Sequence, residues 1–449
     1  MRLHKSKKDI LNGNISQQIL LFTVPIMGSY LLQQLYQFVD SIVLGRYAGV
    51  EAMAAVGGSA TMIINILNNF IAGLASGLMI VVAQNYGRGN SEKVSATVKS
   101  GMFICFVLGG ITTIINCLLS KTILKLTNCP IEIINESTTY LCLVFAGTIP
   151  YMLYNFGNNI LRATGDTKRS LLFEITIVVV KITLDIILTA ILKLGVWGVG
   201  ISTLVSYIAC GIIVLYIFNN TPDCIQYNIK NFGYDSEMLI NIFKIGLPVA
   251  IQSVLFAFTN LLIQIKINVF KTDTIAAFSI YNSVDNFYWS FSNAIGSAVI
   301  TIAGQNYGNK NMKRVHETIK FGLIIDLIAS IAIGAFNYYL GRYIFNIFTT
   351  DINVINIATD MIKVISIYYT TYSLVEIISC AIKGCGDSVN SMIIALIGIC
   401  AVRIVYLLTS TFTKGVQIIY CYPISWAITS LIYLVYYLAN KKYRLAKNN

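Results

Sequence analysis

Several ionisable and polar side chains lie inside stretches of sequence that are otherwise apolar. Asp40 is preceded, at helical spacing, by three polar residues that share its helix face. These residues are Gln33, Tyr36 and Gln37. An ionisable side chain at the centre of a bilayer costs about 2.5–3.5 kcal/mol on insertion scales, so it is expected to serve a function. We therefore take Asp40 as a candidate for exchanging a small cation and expect its face to line a cavity.

A second set of polar residues follows in the same half of the chain. Lys181 and Asp185 are four residues apart, so on a helix they are neighbours and can form an ion pair. The other members are neutral and are Asn155, Asn158 and Thr203. We expect this set to line one chamber together with the face of Asp40. For the single Asn and Thr side chains, hydrogen bonds between helices are the alternative.

The C-terminal half carries a polar helix face of its own. Asp285 lies at helical spacing from Tyr281 and Tyr288, and Asn282 lies beside them. A carboxylate flanked by tyrosines suits an organic cation through charge and cation–π contacts. Glu376 supplies another acid within an apolar stretch. We assign these five residues to substrate binding.

Other residue types that could perform chemistry are sparse. The chain has two histidines and no Cys/His cluster, which argues against a zinc site. Its ten cysteines include no CxxC pair and are expected to be small buried side chains. The acids Glu174 and Asp326 lie near the ends of apolar stretches and are expected to reach the interface. We therefore predict no metal, no cofactor and no enzymatic activity.

The composition indicates that these residues belong to a membrane protein. Hydrophobic residues make up 56% of the 449 positions and charged residues 12%, whereas soluble domains carry about 25% charged residues. Such a composition argues against a nucleic-acid-binding protein, a disordered chain and a disulfide-rich secreted domain. Twelve stretches are long and apolar enough to cross a bilayer as helices, which predicts an all-α polytopic protein. They run approximately over residues 15–46, 59–83, 100–119, 138–161, 171–192, 196–218, 240–268, 276–303, 321–341, 362–382, 391–412 and 416–439.

The distribution of basic residues orients the predicted helices. With both termini placed in the cytoplasm, the tails and inner loops hold 21 Lys and Arg residues and the outer loops hold 8. This bias follows the positive-inside rule. It predicts a multi-pass protein of the plasma (inner) membrane with cytoplasmic termini.

The two halves of the chain repeat one another. The sequence AQNYG at 83–87 returns as GQNYG at 304–308, and Gly165-Asp166 returns as Gly386-Asp387, both 221 residues later. An offset of six helices preserves orientation, so the halves are parallel repeats, an arrangement of secondary transporters with a cavity between the halves. The predicted domains are an N-terminal six-helix bundle over 1–218, a cytoplasmic linker over 219–236 and a C-terminal six-helix bundle over 237–449.

A proline recurs early in the first helix of each half. Pro25 and Pro248 are 223 residues apart. Proline removes one backbone hydrogen bond and permits a helix to bend. We predict that both prolines serve as hinges for alternating access.

The chain also resembles the multidrug and toxic compound extrusion (MATE) family over nearly its whole length. The motifs that carry this resemblance are Val24-Pro25, Phe38-Val39-Asp40, Gln84-Asn85-Tyr86-Gly87, the LRATGD sequence at 161–166, Leu184-Asp185, Gly246-Leu247-Pro248 and the GQNYG sequence at 304–308. The resemblance implies a V-shaped pair of six-helix bundles. It also implies efflux of organic, often cationic, compounds in exchange for inward Na⁺ or H⁺.

The resemblance further implies which residues couple the ion. In the archaeal-like and damage-inducible branches, which the chain resembles more than the marine-vibrio type, an N-terminal site uses an Asp in span one, an Asn and an Asp four apart in span five, and a Thr in span six. Asp40, Asp185 and Thr203 match that pattern, whereas Lys181 stands where the Asn is expected. The neutral polar residues are assigned to substrate binding, and they are Gln33, Tyr36, Gln37, Asn155 and Asn158.

The lysine favours H⁺ over Na⁺ as the coupling ion. An ammonium among the ligands of a small cation repels a second cation by roughly 4 kcal/mol at about 4 Å and an effective dielectric near 20. We therefore predict a proton-coupled exporter of small organic molecules, embedded in the lipid bilayer as a monomer, with Na⁺ coupling still open. The alternative is a flippase of lipid-linked precursors, which would need a strongly cationic cavity.

Overall fold

The computed structural model describes residues 10–127, 129–221, 223–440 and 443 of the chain. Within these ranges the regular secondary structure is helical and contains no strand, so the all-α prediction is confirmed there. The basic residues near the N-terminus, which enter the orientation argument, lie outside the described residues. They are Arg2, Lys5, Lys7 and Lys8.

The helices form twelve successive segments in the described part of the chain, and each corresponds to one predicted span. Several segments combine two helices. The helices are α1 (Ile15–Val43), α2 (Gly49–Gly57), α3 (Ser59–Gly87), α4 (Ser91–Leu126), α5 (Ile134–Ala146), α6 (Thr148–Thr164), α7 (Thr167–Asp185), α8 (Gly195–Asn220), α9 (Ser236–Ile267), α10 (Thr272–Gly308), α11 (Met312–Phe348), α12 (Ile352–Gly384), α13 (Ser388–Ala395), α14 (Val402–Thr409), α15 (Val416–Ile419) and α16 (Cys421–Ala439).

Three segments contain a stretch of π-helix. These stretches are Leu44–Ala48 after α1, Ile186–Ile191 after α7 and Leu396–Ala401 between α13 and α14. Single π-helical turns inside α-helices are frequent at functional sites because they redirect side chains and free backbone groups. Asp185 is the last residue before the second stretch, and Asp40 lies four residues before the first.

Hydropathy separates the segments into two groups. Within the described residues, nine helical stretches are long and apolar enough to cross a membrane. The other three segments cover residues 134–164, 167–191 and 272–308. These three carry most of the polar residues singled out above, which explains their lower hydropathy.

The described residues group into two compact units. One unit is Gly28–Ala250, and the other combines the chain up to Met27 with the chain from Ile251 onwards. The boundaries lie inside α1 and α9, two residues after Pro25 and Pro248. Both helices continue through their proline, so each contributes to both units.

Inside the Gly28–Ala250 unit, α3 and α9 approach each other at backbone distance. A Cβ atom added to Gly77 would overlap the backbone of Gly246, and one added to Gly73 would overlap the backbone of Ala250. Small residues at helix interfaces permit this approach within a membrane. The contact fixes where the start of α9 packs on the first half of the chain.

We expect Gly77→Ala to destabilise the protein by about 1–3 kcal/mol, because the added methyl overlaps backbone atoms that cannot move aside. Thermal unfolding of the purified protein in detergent measures the change. Gly110→Ala is the matched control, since a Cβ there meets no atom within 4 Å. Equal melting temperatures for the two variants would contradict the proposed close contact.

Candidate binding chamber

The Gly28–Ala250 unit encloses a chamber of about 430 Å³. Its wall is built from α1, α2, α3, α5, α7 and α8, and it mixes polar and apolar side chains. The lining residues are Tyr36, Gln37, Asp40, Ser41, Leu44, Met53, Val56, Gly57, Thr61, Ile64, Asn65, Asn68, Tyr140, Val144, Lys181, Thr203 and Tyr207. This volume lies within the range of pockets that hold small organic molecules, about 300–1,000 Å³.

Three charged side chains meet at this chamber. The Nζ atom of Lys181 lies 2.7 Å from Oδ1 of Asp40 and 3.0 Å from Oδ2 of Asp185. The other carboxylate oxygen of Asp185 accepts a hydrogen bond from the hydroxyl of Ser202. We call Lys181, Asp40 and Asp185 the ionic triad.

The members of the triad differ in their access to the chamber. The side chains of Lys181 and Asp185 are 3% and 1% exposed, whereas that of Asp40 is 19% exposed. The ammonium sits between the two carboxylates and neutralises one of their two charges. An unpaired charge at such burial would be strongly unfavourable, so each buried member depends on the others. Asp40 is the carboxylate that a ligand in the chamber can reach.

Three of the other predicted residues also line the chamber. Tyr36 and Gln37 project into it from the same face of α1 as Asp40. Thr203 lines it from α8, and its hydroxyl donates to the backbone carbonyl of Val199 rather than to either carboxylate.

The remaining predicted residues of this unit do not line the chamber. The hydroxyl of Ser170 on α7 donates to Oδ1 of Asn158 on α6. The amide of Asn155 donates to the backbone carbonyl of Tyr151, 3.0 Å away. The alternative interpretation, hydrogen bonding between helices, describes Asn158, whereas the bond of Asn155 lies within α6. Gln33 is half-buried on α1 and also lies outside the chamber lining.

The expectation that Glu174 and Asp326 reach the membrane interface is wrong. Their relative exposures are 2% and 1%, so both are enclosed by neighbouring helices. Glu174 accepts a hydrogen bond from the hydroxyl of Tyr154. Position near the end of an apolar stretch did not reveal this burial, because it does not show which other helices pack around these acids.

In the unit that contains the C-terminal half, Asp285 lies in an aromatic cage. Its Oδ1 accepts from the hydroxyl of Tyr369 at 2.6 Å, and its Oδ2 accepts from the indole of Trp289 at 2.7 Å. Tyr288 stacks on Tyr369 with ring centroids 3.7 Å apart, and Tyr281 is buried nearby. The carboxylate of Asp285 is therefore occupied by donors, and a cationic ligand would have to displace them.

Glu376 and Asn282 lie in the same unit. Glu376 accepts a hydrogen bond from the hydroxyl of Tyr372 at 3.0 Å and one from the thiol of Cys380 at 3.2 Å. Asn282 is half-buried on α10. Neither residue lines the chamber of the ionic triad.

Sequence reasoning missed several residues of the chamber and one that binds the ionic triad. Asn65 and Asn68 are three apart on α3, so their spacing could have identified them as a polar face. Ser202, Tyr140 and Tyr207 gave no comparable signal because single Ser and Tyr residues are common in membrane helices. Among the described residues, no group of three His, Cys, Asp or Glu side chains is placed to hold a metal ion.

The twelve helical segments and the ionic triad define the class of this protein. Long apolar helices make it a multi-pass membrane protein, and a chamber holding ionisable groups is the type of site found in secondary transporters.

Comparison with known proteins identifies the family. The profile of the MatE family matches residues 25–187 and 248–409, one match in each half of the chain. The chain therefore belongs to the MatE family, whose members are membrane transporters rather than enzymes.

Individual relatives agree with this family. The probable multidrug resistance protein YoeA of Bacillus subtilis is 27% identical over 430 residues, which cover 93% of this chain and 92% of that protein. The multidrug export protein MepA of Staphylococcus aureus is 25% identical over 350 residues, 76% of each chain. The solved structure of a multidrug resistance MATE family transporter in its outward-facing conformation has a TM-score of 0.87 at 19% identity, covering 95% of this chain and 96% of that one.

We expect Ser202→Ala to lower the free energy of unfolding by about 1–3 kcal/mol, because it leaves one oxygen of the buried Asp185 without its donor. Chemical or thermal unfolding of the purified protein measures the loss. Ser206→Ala is the matched control, since that buried hydroxyl on the same helix donates to the backbone carbonyl of Thr203 and to neither acid. In an Asp185→Asn background, Ser202→Ala should lower the free energy of unfolding by less. An undiminished loss there would contradict the assigned role of the hydrogen bond from Ser202 to Asp185.

Proposed function

We propose that this protein exports organic, often cationic, compounds across the plasma (inner) membrane in exchange for inward protons, by alternating access. The observation that carries the proposal is the ionic triad at the wall of the chamber, where Lys181 bridges Asp40 and Asp185. The names of the relatives, which include multidrug resistance and export proteins, support the same activity. Its substrates are small molecules, its termini are cytoplasmic, and it acts as a monomer of two six-helix halves.

Asp40 is the proposed coupling residue. It is the most exposed member of the triad and its only carboxylate among the residues that line the chamber. Protonation of Asp40 would neutralise its carboxylate and release it from Lys181, while Lys181 stays paired with Asp185. A cationic substrate needs the ionised form of Asp40, so proton and substrate compete for one carboxylate. Competition at one site is sufficient to couple the two movements in opposite directions.

The triad favours H⁺ over Na⁺ in this scheme. The ammonium of Lys181 already occupies the space between the two carboxylates, at 2.7 and 3.0 Å from their oxygens. A sodium ion would have to displace it or bind beside it against a repulsion of roughly 4 kcal/mol. A proton binds to one oxygen and needs no additional ligands.

The charge of the chamber also separates this proposal from a flippase of lipid-linked precursors. A cavity that binds pyrophosphate requires an excess of cationic side chains. Here the lysine in the lining is matched by two carboxylates that it contacts, so the triad carries a net negative charge. The chamber therefore suits a cation better than a polyanion.

Prolines at the start of each half are the proposed hinges. The boundaries of the two compact units fall two residues after Pro25 and Pro248. Because each proline lacks an amide donor, bending there breaks no additional backbone hydrogen bond. Bending at these points would let the two ends of α1 and α9 follow different units.

The Asp40→Asn variant tests the proposal directly. We expect it to fold but to lose pH-driven efflux of ethidium from proteoliposomes by at least tenfold, because its side chain cannot bind or release a proton. Efflux is measured with a pH gradient and a Na⁺ gradient imposed separately. Glu92→Gln serves as the control, because Glu92 is exposed in the first turn of α4.

Two results would contradict the proposal. Efflux by the wild-type protein in a Na⁺ gradient at equal pH, with no response to a pH gradient, would remove proton coupling. Undiminished pH-driven efflux by Asp40→Asn would remove Asp40 from the coupling step.

Replacing the lysine tests the choice of ion. We expect Lys181→Asn to introduce a response to Na⁺, because it removes the repelling ammonium and leaves two carboxylates and an amide as oxygen ligands. Efflux in a Na⁺ gradient at equal pH measures the response. Lys193→Asn, at a residue that follows the second π-helical stretch, is the control. If Lys181→Asn stays insensitive to Na⁺ although it folds and binds ethidium, the ammonium is not what excludes Na⁺.

A further inference from the structure

One buried acid of the C-terminal unit has no partner that could balance its charge. Asp326 on α11 is 1% exposed, and both of its carboxylate oxygens lack a hydrogen-bond partner among the described residues. The hydroxyl of Ser292 on α10 is 1% exposed and also lacks one. Ser292 faces Asp326, so three buried polar atoms between α10 and α11 lie close together without a well-formed hydrogen bond among the described residues.

The groups that face Asp326 come from the two helices packed against α11. From α10 they are Ser292 and Tyr288, and from α12 they are Ser373 and Glu376. Tyr288 also connects this place to the cage of Asp285 through its contact with Tyr369. These groups are hydroxyls and carboxyls, and no lysine, arginine or histidine lies among them in the described part of the chain.

This surrounding determines the charge of Asp326. An ionised carboxylate without a counter-ion is strongly unfavourable in an apolar interior, and a neutral carboxyl avoids that penalty. The carboxyl of Glu376 adds repulsion to any negative charge on Asp326. A proton on Asp326 removes the charge and supplies a donor that Ser292 can accept after a small rotation.

The fold itself does not require an acid at this position. With the offset of 221 residues that relates the halves, Asp326 corresponds to Cys105 on α4, which is fully buried. The first half packs the equivalent place with a small side chain of low polarity. The packing of the helices therefore does not explain why the second half has an acid at this position.

We propose that Asp326, with Ser292, Ser373 and Glu376 around it, is a second proton-binding site, separate from the ionic triad and loaded in this conformation. Opening of the site to water lets Asp326 ionise and release its proton to solvent, and rebinding neutralises it again. The exchange part of this proposal rests on the proposed proton-coupled export. The loading part is independent of it and stands on the burial of Asp326 and on the groups around it.

Infrared spectroscopy of the purified protein tests the loading. At neutral pH the wild type should show a carboxylic acid C=O band that shifts in D₂O, and Asp326→Asn should lose that band. Asp360→Asn is the control, because Asp360 is an exposed acid on the neighbouring helix α12. Ser292→Ala keeps the acid but removes a hydrogen-bond partner of its carboxyl, so the band should shift to higher frequency. This variant still tests the proposal if Asp326→Asn does not fold. A band unchanged in both variants overturns the proposal.

Proton counting tests the exchange. Ethidium efflux and lumenal pH are followed together in proteoliposomes, and Asp326→Asn should move one proton fewer per ethidium than the wild type. An identical ratio in both overturns the exchange part. Failure of the wild type to move protons at all would instead reject proton-coupled export, while leaving the infrared result on loading intact.

Discussion

A single ammonium held between two carboxylates organises the first half of this protein. The contact of Lys181 with Asp40 and Asp185 joins α1 to α7, and the bond from Ser202 to Asp185 adds α8. None of these charges could be buried alone, because an unpaired ion in an apolar interior is strongly unfavourable. The helices that wall the chamber are thus held by the same groups that give the chamber its charge.

Buried polar and charged side chains need partners on other helices, and this need explains which parts of the fold could be predicted from the sequence. Nine segments follow from length and hydropathy among the described residues. The segments over 134–164, 167–191 and 272–308 do not satisfy that criterion, although each contains a stretch of about 20 mostly apolar residues that predicted it as a span. Their polarity is a consequence of facing other helices, so a hydropathy average underestimates the helices that carry the site.

The site could be predicted only in part. The pairing of Lys181 with Asp185 follows from their separation of four residues, and Asp40 follows from its place on a polar face. The contact between Asp40 and Lys181 joins positions 141 residues apart, and no local pattern contains it. Spacing also shows that Asn158 and Asp285 share a helix face with other polar groups. It does not show which groups on other helices they contact. In the structure Asn158 contacts Ser170, and Asp285 lies in an aromatic cage.

The ionic triad has a consequence for the energy source of transport. Two carboxylates and one ammonium sum to one negative charge, and binding of either a proton or a monovalent organic cation brings the sum to zero. Suppose that the triad changes sides only when a proton or an organic cation is bound. The membrane voltage then does no work on either movement, although it supplies about 2.3 kcal/mol per elementary charge at 100 mV. Exchange at the triad alone would be electroneutral, and the pH gradient across the membrane would be its only driving force. A current during turnover would then have to come from a charge carried elsewhere in the molecule.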